Sequence, residues 1–443
     1  MAELEKKIGT WNATLTGDYV TVVLMQDMTI PSATDAITIS RLRHDVEGAM
    51  TAVWRANHNG LFGQTPKIKL LLANIGSNSS SWQVTVEAIK RWAPEEHIAV
   101  VAGIGQSLDT TRQAVAALSS PPTSISTIGS DVTADNMNIN PATGATVPDF
   151  FRVSPTNSDE AQAAINYIIG HPELKTSVLV KDTNAQDSYA DTLASSFARQ
   201  SQGKIKIKAT LPFTSPSGSA IGGDRSDELA NQFAQMHNNI CLVRPDVVYF
   251  AGRGTDLKAF LGSLDVNSSC SLASLRIITG DDVSNVVGTV RSGPNYTVLF
   301  TALANPHEWD KIAPLGNQYK NYRQFADAFA EAGFVEVDLD DGEAMITHDA
   351  VITVISAIRT DGKYAGSDPS SVAGIIHTLC GANMIGGASG FIAIGSNGNA
   401  IDKAMPVVEI QPDGSLRVDD TVWPSGTPLD YPATTFPGLE VAC

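Results

Sequence analysis

Phe150-Phe151-Arg152-Val153 divides the chain into two stretches that read alike. Before it, short β-branched runs alternate with longer runs whose apolar residues recur at helical spacing, the pattern of βαβ units around a parallel sheet. The first run is Tyr19-Val20-Thr21-Val22-Val23-Leu24-Met25. A helix is expected at 39–57, where Leu42, Val46, Ala49, Met50, Val53 and Trp54 share a face. Strand 68–73, helix 81–92, strand 99–102, helix 110–118 and strand 123–126 complete one α/β unit. After Val153 the rhythm restarts with helix 159–169, strand 177–181, helix 189–200 and strand 204–211. Helix 227–237, strand 246–251, helix 257–264 and strands 275–279 and 296–301 follow. Helical stretches at 318–332, 343–358 and 370–379 precede a β-rich end, 390–394 and 406–410, with turns at Ser396-Asn397-Gly398-Asn399 and Pro412-Asp413-Gly414-Ser415. Helices beyond the second unit must pack somewhere. Their return to the first gives discontinuous lobes, 18–152 plus 305–395 and 153–304 plus 396–425, with 426–443 as a tail. The expected class is therefore α/β: two Rossmann-like lobes with parallel central sheets joined by several hinge crossovers.

A chain of 443 residues suits two domains, at about 100–200 residues each. Its formal charge of -17 repels phosphate backbones and anionic lipid surfaces, so nucleic acid is not an expected partner. No apolar run reaches the roughly 18 residues of a membrane span, and no insertion into a bilayer by this chain is expected. The opening Met1-Ala2-Glu3-Leu4-Glu5-Lys6-Lys7 lacks the layout of a signal peptide. A cytosolic chain and one whose targeting segment lies upstream both fit that start. Cys241, Cys270, Cys380 and Cys443 form no CxxC pair and have no histidine at zinc-finger spacing. Cys241 and Cys270 each precede an apolar strand, so parallel neighbouring strands would put both sulfurs at one end of a sheet. A Cys241–Cys270 disulfide, with Cys380 tied to Cys443, and four buried or free thiols both remain open.

Known catalytic motifs are missing. There is no GxxxxGK[ST], and Gly103-Ile104-Gly105 runs on to Leu108 where a dinucleotide loop needs a third glycine. Gly105-Gln106-Ser107-Leu108-Asp109 is not a nucleophile elbow, no HExxH occurs, and the histidines are scattered. No enzyme, cofactor or metal is expected. His44 and Asp45, after Arg41 and Arg43, read as a solvated helix face.

An ordered set of landmarks spans most of 17–418. It comprises Ala56-Asn57, Gly60-Leu61-Phe62-Gly63, Gly103-Ile104-Gly105-Gln106-Ser107 and the Phe150 crossover. Asp187-Ser188-Tyr189, Pro245-Asp246-Val247-Val248, His348-Asp349-Ala350-Val351 and Gly387-Ala388-Ser389-Gly390-Phe391 complete it. In these the sequence resembles the leucine/isoleucine/valine-binding type of periplasmic substrate-binding protein, the type I periplasmic-binding fold. The resemblance implies an extracytoplasmic, monomeric protein that closes on a small polar, amino-acid-like ligand and delivers it to an ABC permease. Similar modules serve as sensing ectodomains of membrane receptors, with a signalling partner in place of the permease.

Ligands of open α/β sheets sit beyond the carboxyl ends of the strands. Ser107 lies in such a turn, where glycines admit the backbone and helix-start amides can hold a carboxylate. Side-chain capping of the next helix is the plainer role for it. The resemblance also implies Ser126, Thr127 and Ser130 as backbone and hydroxyl contacts, Tyr189 as an aromatic reaching across the cleft, and Asp281 or Asp282 as the acid for a ligand ammonium. Arg253, between Gly252 and Gly254, can meet an anion or bridge surface carboxylates. The sequence departs from the family pattern at 26–37, which lacks the expected Ser-Gly, and at Asn74-Ile75-Gly76, where an acid is usual. Trp82 near that turn reads as helix packing.

Overall fold

The computed structural model describes residues 1–30, 37–185, 187–215, 226–266, 270, 272, 274–310, 317–360 and 369–427. The stretch before the first strand forms helix α1 (Ala2–Ala13), which lays Leu4 and Ile8 on the first core. Strands β1 (Tyr19–Gln26), β2 (Lys67–Asn74), β3 (Ile98–Gly103), β4 (Ser126–Gly129) and β5 (Phe150–Arg152) alternate with helices α2 (Ile39–Asn57), α3 (Trp82–Glu96) and α4 (Asp109–Leu118). All pairings in this sheet are parallel, in the order β2-β1-β3-β4-β5.

The second sheet begins after helix α5 (Asn157–Gly170). Strands β6 (Thr176–Asp182), β7 (Lys206–Phe213), β8 (Val247–Ala251), β9 (Leu275–Thr279) and β10 (Tyr296–Thr301) are separated by α6 (Ser188–Gln200), α7 (Ser226–Val243) and α8 (Gly254–Val266). Their order, β7-β6-β8-β9-β10, repeats that of the first sheet, and all are parallel. Helices α9 (Asn317–Glu331), α10 (Glu343–Thr360) and α11 (Pro369–Ile376) and the hairpin β11 (Ile385–Gly387)/β12 (Gly390–Ile392) come next. The chain then adds β13 (Met405–Ile410) and β14 (Leu416–Val422) antiparallel at the β10 edge.

Parallel strands covered on both faces must be apolar almost throughout, and β1 is buried at every position but its first. One cover of the five-stranded sheet is α10, whose Ile346, Ala350, Val351 and Val354 share a core with Val22, Leu24 and Val100. Helix α10 crosses α2 so closely that a Cβ on Gly48 would lie 2.2 Å from the Ala344 carbonyl oxygen. Gly48→Ala is therefore expected to destabilise the protein by about 1–3 kcal/mol, against the roughly 1 kcal/mol that alanine gains in a free helix. A urea midpoint equal to or above that of the parent would refute the close crossing.

The chain passes between the sheets at Val153, at Ala302-Leu303 and between Ile394 and Met405. Arg152, fully buried, ties two of these passages: its Nη1 donates to the Val132 and Ala134 carbonyls at 2.8 Å each, and its Nε donates to Asn399 Oδ1. Strand β4 begins three residues later than the sequence suggested. The Ile125 N–H closes onto the Leu118 carbonyl, so the residues before Ser126 serve as the exit from α4. Strands β8 and β9 are parallel neighbours, and Cys241 and Cys270 are joined in a disulfide with Cα atoms 5.9 Å apart. The expected partner of Cys380, Cys443, lies outside the described residues. Among the described residues no helix is long and apolar enough to cross a membrane.

Candidate functional site

The carboxyl ends of β3 and β4 face those of β8 and β9, and two arginines join the sheets there. Arg41, in the first turn of α2, pairs with Asp131 beyond β4 and, through Nε, with Glu343 Oε1 at 3.2 Å. Its Nη1 donates across the gap to Asn285 Oδ1 at 2.7 Å. Arg253, beyond β8, grips Asp187 with two hydrogen bonds of 2.7 and 2.8 Å, and Asp282 Oδ1 with one of 2.8 Å. Its Nη2 reaches the Ser107 carbonyl on the other side at 3.4 Å, and its guanidinium lies 4.7 Å from the centre of the Tyr189 ring. Planar, bidentate pairing of this kind is what arginine does and lysine cannot.

Short-range geometry places these groups. Asp187 caps α6 by accepting from the Tyr189 and Ala190 N–H groups, and Asp282 accepts from the Gly254 N–H that opens α8 at 2.7 Å. A Cβ on Gly280 would lie 2.4 Å from the Tyr189 hydroxyl, so glycine is what lets that hydroxyl approach and accept from the Asp282 N–H. Asp281 turns the other way: its N–H donates to Glu160 Oε2 at 3.0 Å, and its Oδ1 accepts from Thr133 across the gap at 3.4 Å. The enclosed space is about 10 Å³ for water centres, room for about one water.

Acids outnumber cations here, and burial penalises the charged form. Burial first, and the Asp281 charge next, hold the Glu160 carboxyl well above its ordinary range. Asp45 and Glu343 are likewise raised, chiefly by burial. Asp281, buried and beside Asp282, is pushed up to about 6 although Arg41 pulls the other way. Burial alone would strip Arg253 of its proton more easily, but Asp187 and Asp282 outweigh it and keep the guanidinium charged.

No protein-family model and no curated protein matches the sequence. Solved structures do. A leucine-binding protein of Thermotoga maritima superposes with a TM-score of 0.66 at 18% identity, over 92% of this chain and 100% of that one. A branched-chain amino acid transporter substrate-binding protein of Streptococcus pneumoniae, in complex with isoleucine, gives 0.65 at 15% identity over 91% and 99%. A solute-binding protein of an ABC transporter from Rhodopseudomonas palustris, in complex with 3,4-dihydroxybenzoic acid, gives 0.60 at 15% over 92% and 96%. This is the type I periplasmic-binding fold.

Within the type I periplasmic-binding fold of this chain, Ser107, Tyr189, Arg253, Asp281 and Asp282 converge on the inter-sheet gap. Ser107 does not cap α4, whose N-cap is Leu108. Its Oγ accepts from the Ala134 N–H instead. Ser130 stands beside the gap with its hydroxyl on Asp131. Ser126 and Thr127 are not brought there: they lie inside β4, paired with Val100 and Val101, toward its amino end. Trp82 packs beside the core that holds Ile75 and Val86.

The reading of Arg41, His44 and Asp45 as a solvated face is overturned. All three are buried, because α2 has the sheet on one side, α10 on another and the facing sheet's Asn285 at its first turn. Sequence reasoning also missed Gln106, Asp131, Thr133, Glu160, Asn285 and Glu343. Asp131 and Thr133 had a signal, since they continue the strand-end segment in which Ser130 was named. The landmark His348-Asp349 is structural: Asp349 accepts from the Ala388 and Ser389 N–H groups and braces the β11–β12 hairpin.

Proposed function

We propose that this protein is an extracytoplasmic solute-binding protein that captures a small polar molecule, an amino acid or derivative, between two lobes and presents it to an ABC permease. The lobes are residues 18–152 with 305–395, and 153–304 with 396–425. The observation that carries the reading is the polar gap at the carboxyl ends of two sheets of like strand order, where α/β folds place ligands. Because that gap holds about one water, a molecule of amino-acid size enters only if the sheets part or the arginines withdraw, which is binding by hinge motion. Proteins of the same fold in complex with isoleucine and with 3,4-dihydroxybenzoic acid support a small polar ligand, and the first of them supports an amino acid. The Cys241–Cys270 disulfide fits an oxidising compartment. The role is capture and release by a monomer, without turnover.

A thermal-shift screen against amino acids, short peptides and aromatic acids tests this. A ligand at one hundred times its Kd adds about 2.7 kcal/mol to the stability of the native state. A saturable rise is expected with one class, lost in Ser107→Ala, with the solution radius of gyration differing between free and bound protein. Unchanged scattering with a saturating ligand would remove the hinge mechanism.

A further inference from the structure

Outside the ligand gap, α2 carries a second cluster. A ring nitrogen of His44 and carboxylate oxygens of Glu47 and Asp338 lie within 4.8 Å of one another. Asp338 comes from the 3₁₀ turn Glu336–Leu339. His44 Nδ1 is 2.6 Å from Asp341 Oδ2. That carboxylate accepts from the Nδ1–H and so turns Nε2, the nitrogen a metal would take in place of a proton, toward Asp338 Oδ1 at 3.6 Å. A carboxylate behind a histidine is how metal-binding imidazoles are oriented and made more basic. Glu47 adds an independent observation: it is only 4% exposed, and its Oε2 has no hydrogen-bond partner. A buried acceptor without a donor costs about 1–3 kcal/mol, more when charged.

Arg43 sits among these groups. Its Nη2 contacts Asp338 and lies 3.2 Å from His44 Nε2, and its Nε is 3.5 Å from Glu47 Oε1. It thus brings one positive charge to two carboxylates and an imidazole, where the two carboxylates alone would balance a divalent ion. Its side chain is 41% exposed, so a cation can displace it toward solvent. Lys7, the other nearby cation, is held elsewhere, with its Nζ on the Ala332 carbonyl and over the Phe334 ring. A surface groove of about 660 Å³, lined by Arg43, Glu47 and Asp338 among others, gives an entry path. Among the described residues the other histidine cluster, His237 with Cys241 and Cys270, has its sulfurs in the disulfide.

We propose that His44, Glu47 and Asp338 form a binding site for a divalent cation of the zinc class, which displaces the Arg43 guanidinium. Histidine nitrogen with two carboxylate oxygens is a zinc donor set, and zinc completes its coordination with water. The site is independent of the ligand gap, so its test does not depend on the transport reading.

The test is calorimetric titration of metal-stripped protein with Zn²⁺ alone, with the visible absorption of added Co²⁺ as a second readout. A single saturable site is expected. His44→Ala and Asp338→Asn should each abolish it, and Asp341→Asn should weaken it about 10–100-fold, as loss of a supporting carboxylate does. Arg43→Ala should tighten binding, because no cation then has to leave. That variant changes a partly exposed side chain and so decides the matter even if the buried variants fail to fold. The proposal is overturned if Arg43→Ala binds Zn²⁺ no better than the parent, or if binding persists in folded His44→Ala and Asp338→Asn.

Discussion

Arg253→Ala should lower the stability of the protein by about 3–5 kcal/mol, the usual cost of removing one partner from a buried ion pair. Asp187 and Asp282 would remain, both buried and held in place by the backbone N–H groups they cap. Neither carboxylate can turn to water without uncapping a helix, so the uncompensated charge stays inside. Two further variants separate charge from packing. Arg253→Lys keeps the charge but loses the two-pronged grip on Asp187, and should fall between parent and alanine. Arg253→Ala combined with Asp187→Asn should recover part of the loss, because asparagine still caps a helix and brings no charge. Urea midpoints of the four proteins decide it. A double variant no more stable than Arg253→Ala would mean that the cost lies in lost packing on Tyr189, not in stranded charge.

The fold was legible because parallel strands covered on both faces cannot hide their composition. Val20 to Met25 and Val247 to Ala251 are apolar or neutral throughout, and the second half repeats the order of the first. Arg253 was singled out because it lies between glycines at a strand end, and Asp281 and Asp282 because the family resemblance puts an acid there; the structure brings all three to the gap. Arg41 was not. It stands in a helix beside other charged residues, and what buries it comes from Asp131, Asn285 and Glu343, far along the chain. A charge run looks solvated until its partners are known. Ser126 and Thr127 were misplaced by a three-residue error in the start of β4, enough to move a residue from the mouth of the sheet to its interior.

Asp281→Asn should make the protein more stable at neutral pH and worse at holding a ligand amine. Asp281 has no cation of its own. Arg253 is taken by Asp187 and Asp282, and Arg41 by Asp131 and Glu343, while Asp281 accepts from Thr133 and faces Glu160, whose carboxyl burial holds well above its ordinary range. Burial and the Asp282 charge push its carboxyl up to about 6, against about 3.9 in an unfolded chain. The folded protein therefore holds this proton more tightly than the unfolded one. Its contribution to stability falls as pH rises from about 4 through 6 and stays low above that. At about 1.4 kcal/mol for each pH unit between the two values, the charge costs up to about 3 kcal/mol at pH 7. Asparagine keeps the shape and can still accept from Thr133, so the difference between variant and parent should grow from near zero at pH 4 to that size at pH 7. On the proposed binding role, an ammonium group of the ligand would offset the cost of keeping this carboxylate at the mouth of the gap. The two readouts are independent. If the stability difference is flat across pH 4 to 7, Asp281 is not the group that titrates. If stability rises as expected but affinity for an amine-bearing ligand is unchanged, the ligand's cation is held elsewhere, with Asp131 and Asp282 as the remaining acids of the gap.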